Sequence, residues 1–180
     1  MSEVLKGMQM QLFNDLPIPK RPSIHSDEVT LETVKRIMPR VLEWIGGQPS
    51  SQDIDNITKD LVNSIQYENQ TYDIMSGLDR DCGWVVNDGL YDILNDVEEI
   101  KYFVWKEFIA DWVLKNGIMP KHSIGDEVKY KSRKDLRPID GEIVKINNKL
   151  AEYTVYSSSL GHVRKGNGTH GVVVEFESII

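Results

Sequence analysis

Apolar residues recur three and four positions apart through the first two thirds of the chain, and two apart in the last third. The first spacing is that of an amphipathic helix and the second that of a strand. Ser26-Asp27-Glu28 predicts a helix start, with acidic residues placed to complement the N-terminal dipole. Val34, Ile37, Val41, Leu42 and Ile45 form its stripe, and Gly46-Gly47 ends it. Pro39 falls inside the stripe and is expected to kink or split the helix. Ser50 to Asp53 offers the next cap, followed by Ile54, Ile57, Leu61, Val62 and Ile65 on one face. Tyr72, Met75 and Leu78 are expected to point together, Gly83 to stop their helix, and Trp84 and Val85 to plug into the core. Leu90, Ile93, Leu94 and Val97 make a further short face. A longer helix carries Phe103, Val104, Phe108, Val113 and Leu114, and Asn116-Gly117 then Pro120 close it. Residues 26–117 therefore read as about four to five short helices.

From Ser123 the segments IGDEVKYK, GEIVKIN, AEYTVYS and GVVVEFE alternate or run β-branched, separated by turn-prone stretches. So few short strands cannot bury both faces of an open sheet, and closure into a small barrel removes exposed edges. Ahead of the helices, NDLPIPKRPSIH carries three prolines in six positions, the signature of an extended arm. The expected organisation is an extended or flexible arm at 1–25, an acidic helical domain at 26–119 and a β-domain at 120–180. The fold class is α+β.

The order IGDEVKY, DGEIVKI, AEYTVY, VVVEFE resembles an SH3-like barrel of the KOW or Tudor type, whose strands commonly open G-D-x-V and G-x-I/V-V. That resemblance covers about residues 121–180 and implies a binding module without naming its ligand. Leu78-Asp79-Arg80-Asp81-Cys82-Gly83-Trp84, L-D-R-x-x-G-W, resembles a helical module of uncharacterised phage and mobile-element proteins.

Charge changes the picture more than composition does. The net charge is −7, but residues 1–40 carry six Lys and Arg against five Asp and Glu, residues 41–120 five against fifteen, and residues 121–180 ten against eight. An acidic middle thus precedes a mildly basic end, which speaks to partners rather than to fold. Cys82 is the single cysteine, so no internal disulfide forms and a reducing, cytoplasmic setting is expected. The opening MSEVLKGMQMQLF lacks a signal-peptide apolar region, and no apolar run approaches the ~20 residues of a membrane span.

Candidate chemistry is sparse. GNGTHG spells G-x-G-x-x-G, yet strand rather than helix follows it, and only nine residues remain for any βαβ unit or kinase core. It is read as a hairpin loop freed by its glycines. His25, His122, His162 and His170 share no metal-binding spacing, so no metal and no cofactor is expected. Cys82 has no neighbouring histidine in sequence and lies among acids, which favours the neutral thiol. No nucleophile elbow is present, and the chain is not expected to be an enzyme.

What remains is binding. Asp73, Asp79, Asp81, Asp88, Asp92, Asp96, Glu98 and Glu99 are the candidate acidic face for a protein partner. Aligned on one surface, they would attract a strongly basic groove of the kind found in nucleic-acid-handling enzymes. The expected function is stoichiometric, non-catalytic association, as a phage-type inhibitor of the anti-CRISPR or anti-restriction kind. The alternative is a nucleic-acid-binding accessory protein using Lys131, Arg133, Lys134 and Arg137 with the loop residues His162, Arg164 and Lys165. Interleaved Tyr130, Tyr153 and Tyr156 would then supply stacking. The four tryptophans, Trp44, Trp84, Trp105 and Trp112, are expected mostly in the core, with the helix of the last two central or part of a dimer contact.

Overall fold

The computed structural model describes residues 19–66, 68, 70–131, 138–157 and 171–180. Ser26 caps helix α1 (Asp27–Ile45) by accepting the Val29 N–H at 3.4 Å, and Val29, Val34, Ile37 and Val41 turn inward. Pro39 does not break it. Pro39 and Lys35, whose carbonyl loses its intrahelical partner, are both exposed, so water can replace the missing bond.

Helix α2 (Ser51–Ile65) opens with a reciprocal capping box between Ser50 and Asp53. Helix α3 (Thr71–Cys82) buries Ile74 and Leu78, while Tyr72 points outward at 77% exposure and leaves the shared face expected for it. Helix α4 (Asp88–Leu94) is capped by the Asn87 side chain and buries Leu90, Ile93 and Leu94. Helix α5 (Val97–Asn116) buries Val97, Lys101, Val104, Ile109 and Trp112. These five helices enclose one apolar cluster built on Ile37, Leu61, Ile65, Leu78 and Leu90. None of the described helices is long and apolar enough to cross a membrane.

Lys101 sits inside this bundle at 1% exposure. Its ammonium donates to the carbonyls of Ile65 at 2.8 Å and Gln66 at 3.2 Å, the unpaired C-terminal end of α2. A cation there meets the negative end of the helix dipole. Burial nevertheless pushes the Lys101 pKa below the usual lysine range.

The C-terminal part is a four-stranded antiparallel meander in the order β1 (Glu127–Lys131), β2 (Pro138–Asn147), β3 (Glu152–Tyr156) and β4 (Val172–Glu175). A register shift between Ile143 and Lys145 bends β2. Val128, Tyr130, Ile143, Tyr153, Val155 and Val174 alternate onto the inner face. The sheet curls because the chain end returns to its first strand: Tyr130 bridges Ile179, and the Ile180 N–H donates to the Lys129 carbonyl at 2.8 Å. Gly141 is required by this packing, since a Cβ there would stand 2.5 Å from a Val155 methyl and 2.7 Å from the Tyr156 carbonyl oxygen. The Tyr153 hydroxyl accepts the N–H groups of Lys121 and His122, tying the connector from α5 onto the sheet.

Residues 19–25 of the proline-rich arm lie between the two parts. The Trp105 indole donates to the Pro22 carbonyl at 3.0 Å and the Trp112 indole to the Pro19 carbonyl at 3.1 Å. Between them Arg21 lies over the Trp112 ring and reaches the sheet through the carbonyls of Leu150 at 2.5 Å and Ala151 at 3.3 Å. The two indoles thus act as donors to the arm, with Trp112 buried and Trp105 half-buried.

Candidate partner-binding surface

The turn between α3 and α4 places the most conspicuous side chains on the surface. Gly83 takes the left-handed conformation, φ 72° and ψ 26°, and ends α3. Its N–H bonds to the Asp79 carbonyl, and the next N–H, that of Trp84, reaches back to Leu78 at 3.0 Å. This double closure redirects the chain and projects Trp84 sideways. Residues 83–87 then run without regular structure until Asn87 caps α4.

Trp84 stacks on Trp44 from the end of α1, with ring centroids 6.3 Å apart and planes within 12°. Each indole N–H is held: Trp44 donates to the Asn87 carboxamide oxygen at 3.0 Å and Trp84 to the Asp60 carboxylate at 2.9 Å. Both rings are only half-buried. Val85 stands 83% exposed beside them and Ile45 40%. With Ile57, these side chains line an open groove of about 370 Å³. Trp84 packs partly buried against the apolar core, whereas Val85, expected to plug in with it, is left outside.

Acidic side chains border this groove in sequence. Asp79 and Asp81 end α3 and Asp88 begins α4, all exposed, so these three flank the Trp84–Val85 turn. Asp81 accepts from Nε and one terminal nitrogen of the Arg80 guanidinium, at 2.9 and 3.0 Å, and that pairing lowers its pKa. Asp73 starts the same helix eight residues earlier, about 12 Å along its axis. Asp96 is half-buried and paired with Arg40 at 2.7 Å, and Arg40 also bonds to the Asp92 carbonyl at 3.2 Å. Glu98 and Glu99 lie exposed in the first turn of α5. Among the described residues, no group of three or more His, Cys, Asp and Glu could hold a metal ion.

Cys82 is half-buried behind the turn. Burial first, and the neighbouring Asp60 carboxylate second, push its thiol pKa up, which keeps it protonated near neutral pH.

The basic candidates divide. Arg133, Lys134, Arg137, His162, Arg164 and Lys165, with the glycine-rich GNGTHG loop, lie outside the described residues. Lys131 is exposed at the end of β1. Its outward neighbours on β1 and β2 are mixed in sign: Glu127 opposes Glu142, and Lys129 pairs with Asp140 at 3.7 Å. Tyr130 and Tyr153, at 1% exposure, belong to the sheet's core, so their rings are not free to stack on bases. Tyr156 is half-buried beside a surface hollow at the β1–β2 edge.

The residues that sequence reasoning missed as surface are Ile45 and Val85. One signal was available: Val85 lies in a short stretch between a glycine stop and an Asn87-Asp88 helix start, outside any regular element. Compared with known proteins, the chain matches no family model, no curated protein and no solved structure.

Proposed function

We propose that this protein works by stoichiometric, non-catalytic association with a protein partner, and that the Trp44–Trp84 stack with Val85 is the anchor. The observation that carries this reading is an 83% exposed valine beside two clamped, half-buried indoles at one end of the bundle. Clustered aromatic and aliphatic side chains of this kind supply most of the affinity in protein interfaces, and the hydrogen bonds to Asn87 and Asp60 pre-organise them. Asp79, Asp81 and Asp88 at the rim favour a partner with basic residues around its apolar contact. Such surfaces are typical of nucleic-acid-handling enzymes, so an inhibitor of the phage type, directed at an RNA-guided or restriction nuclease in the cytoplasm, is the specific form of the proposal. The curled meander and its returning C-terminus support reading the β-part as an SH3-like barrel.

The test is titration into cleavage reactions of RNA-guided and restriction nucleases. Inhibition should saturate near one equivalent and weaken at least about 30-fold in Trp84→Ala, the loss expected of an aromatic hot spot. Full cleavage at about tenfold excess over each enzyme would remove the inhibitor reading. Fluorescence anisotropy with single- and double-stranded DNA and RNA discriminates the alternative: tight binding that weakens steeply with salt would transfer the function to the basic residues of the β-part.

A further inference from the structure

Trp105 and Trp112 stand two helical turns apart on α5, so they share one face at a separation of about 10.5 Å along its axis. They donate to the carbonyls of Pro22 and Pro19, at 3.0 and 3.1 Å, and those prolines are three residues apart. Proline holds φ near the polyproline II value, and three residues of that helix rise about 9.3 Å. The two repeats match, so both indoles meet carbonyls of one extended segment that runs antiparallel to the helix. Between the prolines, Arg21 enters a pocket. Its guanidinium lies 5.7 Å from the centre of the Trp112 ring, donates to the carbonyls of Leu150 and Ala151, and faces the carboxylates of Glu152, Glu175 and Glu177. Pro19 and Lys20 stay exposed.

We propose that this cleft is a receptor for proline-rich peptides of the form Pro-x-Arg-Pro, carried by a partner protein, and that residues 19–22 are its ligand in cis. What the cleft recognises is a class of segment rather than this one: two main-chain carbonyls one polyproline turn apart, with a guanidinium between them. Proline-rich segments suit aromatic-lined sites of this kind because their extended form costs little ordering entropy. The arm's own fit is incomplete. The Arg21 Nε–H is buried with no hydrogen-bond acceptor among the described residues, 3.6 Å from the Glu175 carboxylate. An untethered peptide is free to close that bond, whereas the arm runs into the Ser26 cap of α1 four residues after Pro22. The arm of a second copy gains nothing, since each copy brings one arm for one cleft and the short link in cis gives an effective concentration of about 1 mM. The arm therefore sets the threshold that a foreign peptide must exceed. The cleft shares no residue with the Trp44–Trp84 surface.

The test is fluorescence anisotropy of a dye-labelled peptide, LPIPKRPSIH (residues 16–25), titrated with the full chain. The parent should bind it weakly, because the arm competes, and Arg21→Gln, which cripples the cis ligand, about tenfold more tightly. The same peptide should raise the melting temperature of Arg21→Gln toward that of the parent, by returning a guanidinium to the three carboxylates. A peptide that itself carries Arg21→Gln should bind neither chain. Trp105→Phe in the Arg21→Gln chain keeps a ring and loses the indole donor, and should weaken binding roughly threefold to tenfold. Arg21→Lys, which retains the charge, gives the same readout should Arg21→Gln fail to fold. Trp84→Ala should leave peptide binding unchanged, so this result stands apart from the nuclease titrations. Arg21→Gln and Arg21→Lys chains that both ignore the peptide at roughly 1 mM, or equal binding of the arginine and glutamine peptides, would overturn the proposal.

Discussion

Glu152 and Glu175 are direct cross-strand partners on β3 and β4, and Arg21 reaches both. Like charges opposite one another destabilise a sheet, so this pair needs a cation. Arg21 supplies it from outside the sheet, 3.8 Å from Glu152 and 3.6 Å from Glu175, with Glu177 at 3.3 Å. Its side chain is only 10% exposed. Arg21→Gln should therefore cost about 2–4 kcal/mol, because it leaves carboxylates partly buried without their counter-charge.

The same site carries a pH signature. Burial raises the Glu152 pKa, and Arg21 opposes that rise. A carboxyl with a raised folded pKa binds its proton more tightly when folded, so its contribution to stability falls as pH climbs from the ordinary glutamate range through the raised value. Removing Arg21 enlarges the shift. The penalty of Arg21→Gln should be larger at roughly pH 7.5 than at roughly pH 4.5, by denaturant titration at both. An equal penalty at both values would mean that Arg21 acts through its contacts with Trp112 and the Leu150 and Ala151 carbonyls rather than through the carboxylates.

Val85→Asp separates binding from folding. Val85 is 83% exposed, so the substitution should change unfolding free energy by no more than about 0.5 kcal/mol while weakening partner capture. Trp84→Ala removes the stack on Trp44 and the bond to Asp60 and should cost about 2–3 kcal/mol in the same titration.

Lys101→Ala should lower stability by about 2 kcal/mol or more, because the carbonyls of Ile65 and Gln66 lose their donor and the buried stem leaves a void. Lys101→Met refills the volume without the donor. A smaller loss for Met than for Ala assigns the difference to packing, and thermal melts of both measure it.

Tyr130→Phe should be neutral or stabilising. The Tyr130 hydroxyl is buried with no hydrogen-bond partner among the described residues, and burial raises its pKa. Removing an unsatisfied group removes its desolvation cost of about 1 kcal/mol. Gly141→Ala should act oppositely on the same sheet, costing about 2 kcal/mol or more, because the Tyr156 carbonyl oxygen, which cannot swing away, stands 2.7 Å from the new methyl, beside a Val155 methyl at 2.5 Å. Unfolding curves for the two variants, run beside the parent, check both signs.

Sequence alone determined the class and order of the elements. Ser26, Ser50, Gly46, Gly83 and Gly117 act through local backbone geometry, so their caps and stops were legible, as were the inward residues of α1, α2 and α4. Period-two alternation likewise marked the four strands. Tertiary structure decided which apolar residues are left outside. Tyr72, Val85, Phe103 and Leu114 are as hydrophobic as their buried neighbours, and their exposure depends on where other elements stop covering them. It also decided the charges: Lys101 inside the bundle and Arg21 between Glu152 and Glu175 each answer groups far away in sequence, at α2's end and on β3 and β4. Local pattern reports what a residue prefers, whereas burial and charge pairing depend on neighbours that only the folded chain brings together.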